Sequence, residues 1–244
     1  MNPAITLATT RRVFTQLRRD RRSVVMMVVL PALLVTTMRY VLNSKQLFET
    51  VAPSLVALFP FIVMFLVTSV ATLRERTTGT LERLMTMPIG KLDLLAGYAL
   101  AFGFFAIVQV IVVAGLCLAW LGLSINGSVA LLFVIAALDA LLGMALGLFV
   151  SAFARTEFQA VQFLPLVAAP QVLVCGLFVP RDQMASALKW FSDAMPLSYA
   201  VDAMKLVTAK ADVTGELVRD IAVVAACTVV ALVLGAATLP RRTP

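Results

Sequence analysis

Residues 94–138 read LLAGYALAFGFFAIVQVIVVAGLCLAWLGLSINGSVALLFVIAAL, forty-five positions between Asp93 and Asp139 without a charged side chain. A bilayer core about 30 Å thick is crossed by about 20 helical residues at ~1.5 Å each. The run is therefore too long for one helix and suffices for a crossing, a turn and half of another. Within it, polar and flexible residues gather at Ser124-Ile125-Asn126-Gly127-Ser128, which predicts the turn. Span three is then 94–121 and span four 129–153, with Asp139 inside the latter.

Charges serve as rulers along the rest of the chain. Uncharged runs predict spans at 24–42, where Arg39 snorkels from the end, at 52–73 with Pro53 and Pro60, and at 158–180 with Pro165 and Pro170, and the uncharged run 221–240 supplies a sixth span placed at 217–239. The stretch from Arg181 to Asp220 carries eleven charges and cannot cross. In it Met184, Ala187, Leu188 and Phe191 recur at helical spacing beside Trp190, so residues 181–216 are expected as an interfacial segment.

Composition agrees. Of 244 residues 61% are hydrophobic, and the mean hydropathy is +0.98. Water-soluble enzymes, disulfide scaffolds, disordered chains and nucleic-acid-binding domains fall away, and no nucleic-acid partner is expected. The chain has no histidine, and Cys117, Cys175 and Cys227 sit singly in apolar runs, so no metal set is expected.

Lys and Arg stay on the cytoplasmic side of short loops. Six spans put both termini on one side, with thirteen bases against seven across the membrane. The larger group is Arg11, Arg12, Arg18, Arg19, Arg21 and Arg22, then Arg74, Arg76, Arg83 and Lys91, then Arg155, Arg241 and Arg242. The expected fold is an all-α integral membrane domain over 24–240, N-in and C-in, in the cell inner (plasma) membrane. Residues 181–216 lie outside the cell and 241–244 form a cytoplasmic tail. No cleavable signal peptide is evident, and insertion through span one is expected. Residues 1–23 form a cytoplasmic interface segment in which 5–22 either make a surface helix, with Leu7, Phe14 and Leu17 dipping and the arginines meeting anionic lipid, or act as a stop-transfer cluster.

The inner loop after span two reads Leu73-Arg74-Glu75-Arg76-Thr77-Thr78-Gly79-Thr80-Leu81-Glu82-Arg83-Leu84-Met85-Thr86-Met87-Pro88-Ile89. Gly79 can end the preceding helix, Thr80 can cap a new one, Glu82 suits its first turn, and Pro88 stops it. Leu81, Leu84 and Met85 would make an apolar knob, either packed on the chain itself or docked in a partner's groove.

Glu75-Arg76, Gly79-Thr80-Leu81-Glu82 and Pro88-Ile89 resemble the ERE-x-GTLE signature of type-2 ABC export permeases, the group of drug and glycolipid exporters. Met195-Pro196-Leu197-Ser198-Tyr199-Ala200-Val201-Asp202 is similar to that family's segment before the last span. Thr77, Met195 and Tyr98 depart from the family pattern. The resemblance implies that Thr80 to Met87 is a cytoplasmic coupling helix seated in an ATPase subunit, with Glu75 and Arg76 making polar contacts to the ATPase or to the N-terminal helix. It also implies two ATPase copies and a second permease chain, identical or homologous.

No G-x-x-x-x-G-K-[ST] occurs, since Gly90-Lys91 is followed by Leu92. Cofactors bound by this chain are therefore expected to be none, with ATP and Mg in the partner, and no catalytic residue is expected. The resemblance further implies that spans two and five line a cavity, which points to Phe59, Phe61, Met64, Phe65, Thr68, Gln162, Phe163, Gln171 and Phe178 as pathway candidates. Phe and Met offer adaptable contact to amphipathic cargo, although lipid-facing or packing duty suits the same residues. Asp139 is a costly charge deep in a span, beside the close-packing pattern Gly143-x-x-x-Gly147. It is expected to hydrogen-bond a neighbouring helix, with Gln109 as the candidate, or to couple protons. The reading is an ABC exporter permease for a drug, lipid or glycolipid, with a proton-coupled multidrug carrier using Asp139 as the alternative.

Overall fold

The structure is a computed structural model and describes residues 2–78 and 90–238. Helices in chain order are α1 (Pro3–Arg19), α2 (Arg21–Leu42), α3 (Lys45–Thr77), α4 (Lys91–Ala119), α5 (Val129–Ser151), α6 (Glu157–Val174), α7 (Ser186–Ala194), α8 (Pro196–Ala209) and α9 (Gly215–Thr238), with a short 3₁₀ turn at Arg181–Gln183. Six of them, α2, α3, α4, α5, α6 and α9, are long and apolar enough to cross a membrane. The chain is a multi-pass membrane protein.

Polar capping residues outside the apolar runs make most helices begin earlier than the charge rulers predict. Ser44 receives the Leu47 N–H and starts α3 at Lys45 rather than at 52. The 33 residues of α3 correspond to ~50 Å, so its ends extend past a hydrocarbon core of about 30 Å. Asn43, left-handed at φ 44°, closes α2 and turns the chain directly into α3.

At the centre α3 lies along α5. A side chain at Gly143 would meet the backbone carbonyl of Phe61, and one at Gly147 that of Phe65, four residues on in both helices. The absence of Cβ atoms lets the two backbones touch, as small-residue stripes do between membrane helices. Helix α9 flanks α5 and α8, α2 packs on α3 and α4, and α1 lies against α4.

Two expectations need correction. The run 158–180 is not one helix, because α6 ends at Val174 and Gly176 is left-handed at φ +86°. The Gly176 carbonyl is taken by Lys205 Nζ at 2.5 Å, which fixes the break. The segment 181–216 is also not wholly interfacial. Helix α7 exposes Leu188, Trp190 and Phe191, whereas α8 buries Leu197, Val201 and Met204 against the spans. Its 14 residues correspond to ~21 Å, too short to cross. The predicted 124–128 turn caps the end of α8: Asn126 N–H donates to Thr208 O at 3.0 Å, Gly127 N–H to Val207 O at 3.2 Å, and Asn126 Nδ2 to Ala209 O at 3.2 Å. Tyr40 near the end of α2, Trp120 at the end of α4 and Trp190 in α7 are exposed.

Candidate functional site

Successive helical residues point about 100° apart, so three polar side chains in one turn can reach three neighbours. The last turn of α3 does this. Arg74 forks onto Glu157 at the start of α6, Nε to Oε1 at 2.7 Å and Nη2 to Oε2 at 2.9 Å. Glu75 turns to α1 and α4, where its Oε2 accepts from Arg12 Nη2 at 3.1 Å and from the Tyr98 hydroxyl. Arg76 Nη1 donates to the backbone carbonyl of Ser151, at the negative end of α5.

Arg12 closes the triangle by donating to the Tyr98 hydroxyl at 3.1 Å, its guanidinium 5.9 Å from the Tyr98 ring centroid. Burial works against the Arg12 charge, but Glu75 and Tyr98 outweigh it and hold the group above the ordinary arginine value. Helix α1 is seated further by Asp93 in the first turn of α4, which accepts from Asn2 N–H at 2.8 Å and from Thr6 Oγ at 3.3 Å. Next to it, a Cβ on Gly97 would meet the Thr9 side chain at 2.5 Å, so glycine is what allows α1 to lie so close. The buried face of α1 is Thr6, Thr9, Val13 and Leu17. Leu7 lies off this face and is 69% exposed.

Asp20 alone separates α1 from α2. Its N–H caps α1 through Gln16 and Leu17, and its carboxylate caps α2, accepting from Ser23 N–H at 3.3 Å and Ser23 Oγ at 2.7 Å. The Ser23 hydroxyl holds this carboxyl below the ordinary aspartate value.

Of the proposed coupling residues, Gly79, Thr80, Leu81, Glu82, Leu84, Met85 and Pro88 lie outside the described residues. Glu75 and Arg76 are placed, one against α1 and the other against α5. The pathway candidates do not converge within the chain. Phe61, Met64, Phe65 and Thr68 are buried, Phe61 and Phe65 seating the α5 glycines, while Phe59 is half-buried. Gln171 braces helices, its Nε2 donating to Val167 O at 3.0 Å and its Oε1 accepting from Leu197 N–H at 3.4 Å. Gln162 is exposed and shares a shallow groove with Phe163, and Phe178 is exposed beyond α6. Asp139 and Gln109 are both buried, and neither side chain has a hydrogen-bond partner among the described residues, so the expected bond between them is not formed.

The second motif acts at the far end. Arg181 pairs with both Asp193 and Asp202 and lies 5.1 Å from the Tyr199 ring centroid, while the Tyr199 hydroxyl donates to Asp193 O at 2.7 Å. Arg181 and Asp93 were missed as sites because an isolated charge bordering an apolar run reads only as a boundary. No His, Cys, Asp or Glu group able to hold a metal occurs among the described residues.

A family model described as ABC-2 type transporter matches residues 5–208. The chain is 29% identical over 163 residues to "ABC transporter G family member 20" of Dictyostelium discoideum, covering 67% of this chain and 22% of that protein. It is 24% identical over 169 residues to "Probable multidrug ABC transporter permease YbhS" of Escherichia coli strain K12, covering 68% and 45%. With "Inner membrane transport permease YhhJ" of the same strain it shares 30% identity over 139 residues, covering 55% and 36%. The chain spans less than half the length of these curated relatives.

Proposed function

The chain belongs to the ABC-2 type transporter family, and from that premise we propose that it is the membrane permease of an exporter driven by a separate ATPase. The observation that carries the coupling part of this reading is the last turn of α3, where Arg74, Glu75 and Arg76 bind α6, α1 with α4, and α5 immediately before residues 79–89. A push on those residues is delivered to four helices at once. Thr80 to Met87 is the proposed foot on the ATPase, and the segment faces the cytoplasm, as the arginine count favours. Two ATPases and a second permease chain complete the assembly. ATP and Mg belong to the partner.

Inverting a population from 99:1 to 1:99 takes about 5.5 kcal/mol of differential free energy, which nucleotide-driven closure must supply through this contact. The cargo is a hydrophobic or amphipathic small molecule, a class supported by the printed name of the multidrug relative. Proteoliposomes holding the permease and its ATPase should move an amphipathic dye only with ATP and Mg. Leu81→Asp with Leu84→Asp should abolish transport and leave the spans folded. Dye movement without ATP would reject the reading.

A second reading has its own observation. The Asp139 carboxylate is fully buried, and neither oxygen is hydrogen-bonded among the described residues, which suits a proton-coupled carrier. Transport abolished by a protonophore while ATP is supplied, and by Asp139→Asn, would favour it.

A further inference from the structure

Helix α2 has the smallest buried share of the six candidate crossings, so most of its surface meets something outside the chain. Between it and α4 runs an open groove of about 330 Å³, lined by Val28, Val29, Ala32, Leu33 and Thr36 of α2 and by Val112 of α4. From Val28 to Thr36 it is ~12 Å long, and nearly all of its wall is methyl groups. Such a wall suits a hydrocarbon chain and offers a polar solute nothing.

Helical register puts charge at one mouth of this groove, beside the Asp20 elbow that joins α1 to α2. Val28 and Ala32 stand seven and eleven residues after Arg21, and Val29, Leu33 and Thr36 stand seven, eleven and fourteen after Arg22. At about 100° per residue each of these spacings returns to within ~40° of the same direction. The two arginines and the groove therefore share one side of α2. Exposed Val25 continues the apolar surface between them.

Arg21 and Arg22 are exposed and make no ion pair among the described residues. The described acids at this end are engaged within the chain: Asp20 caps α2 and feels the charge of Arg74, Glu75 meets Arg12, Glu157 meets Arg74, and Asp93 holds Asn2 and Thr6. A second copy of this face would thus bring arginine to arginine, which is repulsive. A phospholipid answers both halves of the surface. Its phosphate matches the guanidinium fork, arginine arms reach along a helix to the headgroup level, and bases next to a crossing attract anionic lipid.

We infer that the groove between α2 and α4 binds one anionic phospholipid of the leaflet at the elbow, its phosphate held by Arg21 and Arg22 and one acyl chain lying along Val28 to Thr36. Neither ATP nor a partner chain enters the site, so it stands or falls apart from the exporter reading.

The test uses the purified full chain in phosphatidylcholine nanodiscs doped with photoreactive phospholipids that carry a diazirine midway along one acyl chain. Phosphatidylglycerol and phosphatidylcholine forms of the probe are compared by peptide mapping. The phosphatidylglycerol form should label peptides spanning 25–37 and 107–116 at least about fivefold more than the phosphatidylcholine form. Excess unlabelled phosphatidylglycerol should remove that label, and inorganic phosphate should not. Arg21→Gln with Arg22→Gln should lower the phosphatidylglycerol label about tenfold and leave the phosphatidylcholine label unchanged. Arg155→Gln should change neither, because Arg155 is exposed at the same end but does not line the groove. Ala32→Trp, which fills the slot, should remove the label from both peptides. Competition and the arginine variants stand even if the tryptophan variant fails to fold. Equal labelling by the two headgroups, label concentrated on α6 or α9, competition by inorganic phosphate, or an equal loss in Arg155→Gln would each overturn the proposal. Cross-links from 25–37 to the same peptide of a second copy, in place of lipid label, would overturn it as well.

Discussion

Arg12 and Glu75 form an ion pair at 3.1 Å across 63 residues of sequence, joining the surface helix α1 to the end of the longest helix. Both side chains are mostly buried, and Tyr98 meets the same carboxylate oxygen, so the pair is less screened than a surface bridge. A double-mutant cycle on Arg12→Ala and Glu75→Ala, followed by unfolding in mixed micelles, should return a coupling energy of about 1–2 kcal/mol. Additive losses would show that the contact holds nothing. In proteoliposomes that also hold the ATPase, Glu75→Gln should lower transport more than stability.

Gly143 and Gly147 should tolerate nothing larger. Alanine at Gly143 must displace the Phe61 backbone, and overpacking of this kind costs about 1–3 kcal/mol. Gly115 is the control, because a Cβ there has open space. Gly115→Ala should be neutral or gain up to ~1 kcal/mol from helix propensity. Thermal unfolding of the two variants side by side checks both signs.

Asp20 gives a pH signature. Its folded-state carboxyl is held below its ordinary value of 3.8, so the stabilisation is present above that value and is lost as pH falls through the folded-state value. Melting temperatures of the native chain and Asp20→Asn should therefore converge as acid is added from pH 7 to pH 3. A gap that widens with acid would mean that the carboxylate is not stabilised at the elbow.

Arg181 fastens the loop after α6 to α7 and α8 through Asp193 and Asp202. Cys175 sits buried just inside this clasp. In a Cys117→Ala, Cys227→Ala background, Arg181→Gln should raise the rate at which Cys175 reacts with a maleimide at least about tenfold. An unchanged rate would show that the clasp does not govern opening at that end.

The spans were legible because a bilayer imposes one rule, a charge-free run of sufficient length, and residues 94–138 obey it visibly. What escaped was tertiary. Helix α8 carries Asp202 and Lys205, which mark a surface segment by composition, and only their capture by Arg181 and the Gly176 carbonyl lets the helix sink into the bundle. Phe61 and Phe65 drew notice for their rings, and that their backbones also seat the glycines of α5 was not visible in the sequence. Glu75 and Arg76 stood out through their motif, but that they part toward different helices follows from helical rotation once α1 and α5 are in place.

The joint between α1 and α2 is a single residue, capped on both sides. Such a joint leaves no linker to take up a displacement, so the end of α1 and the start of α2 share one anchor, and a shift of either helix is felt first at the other.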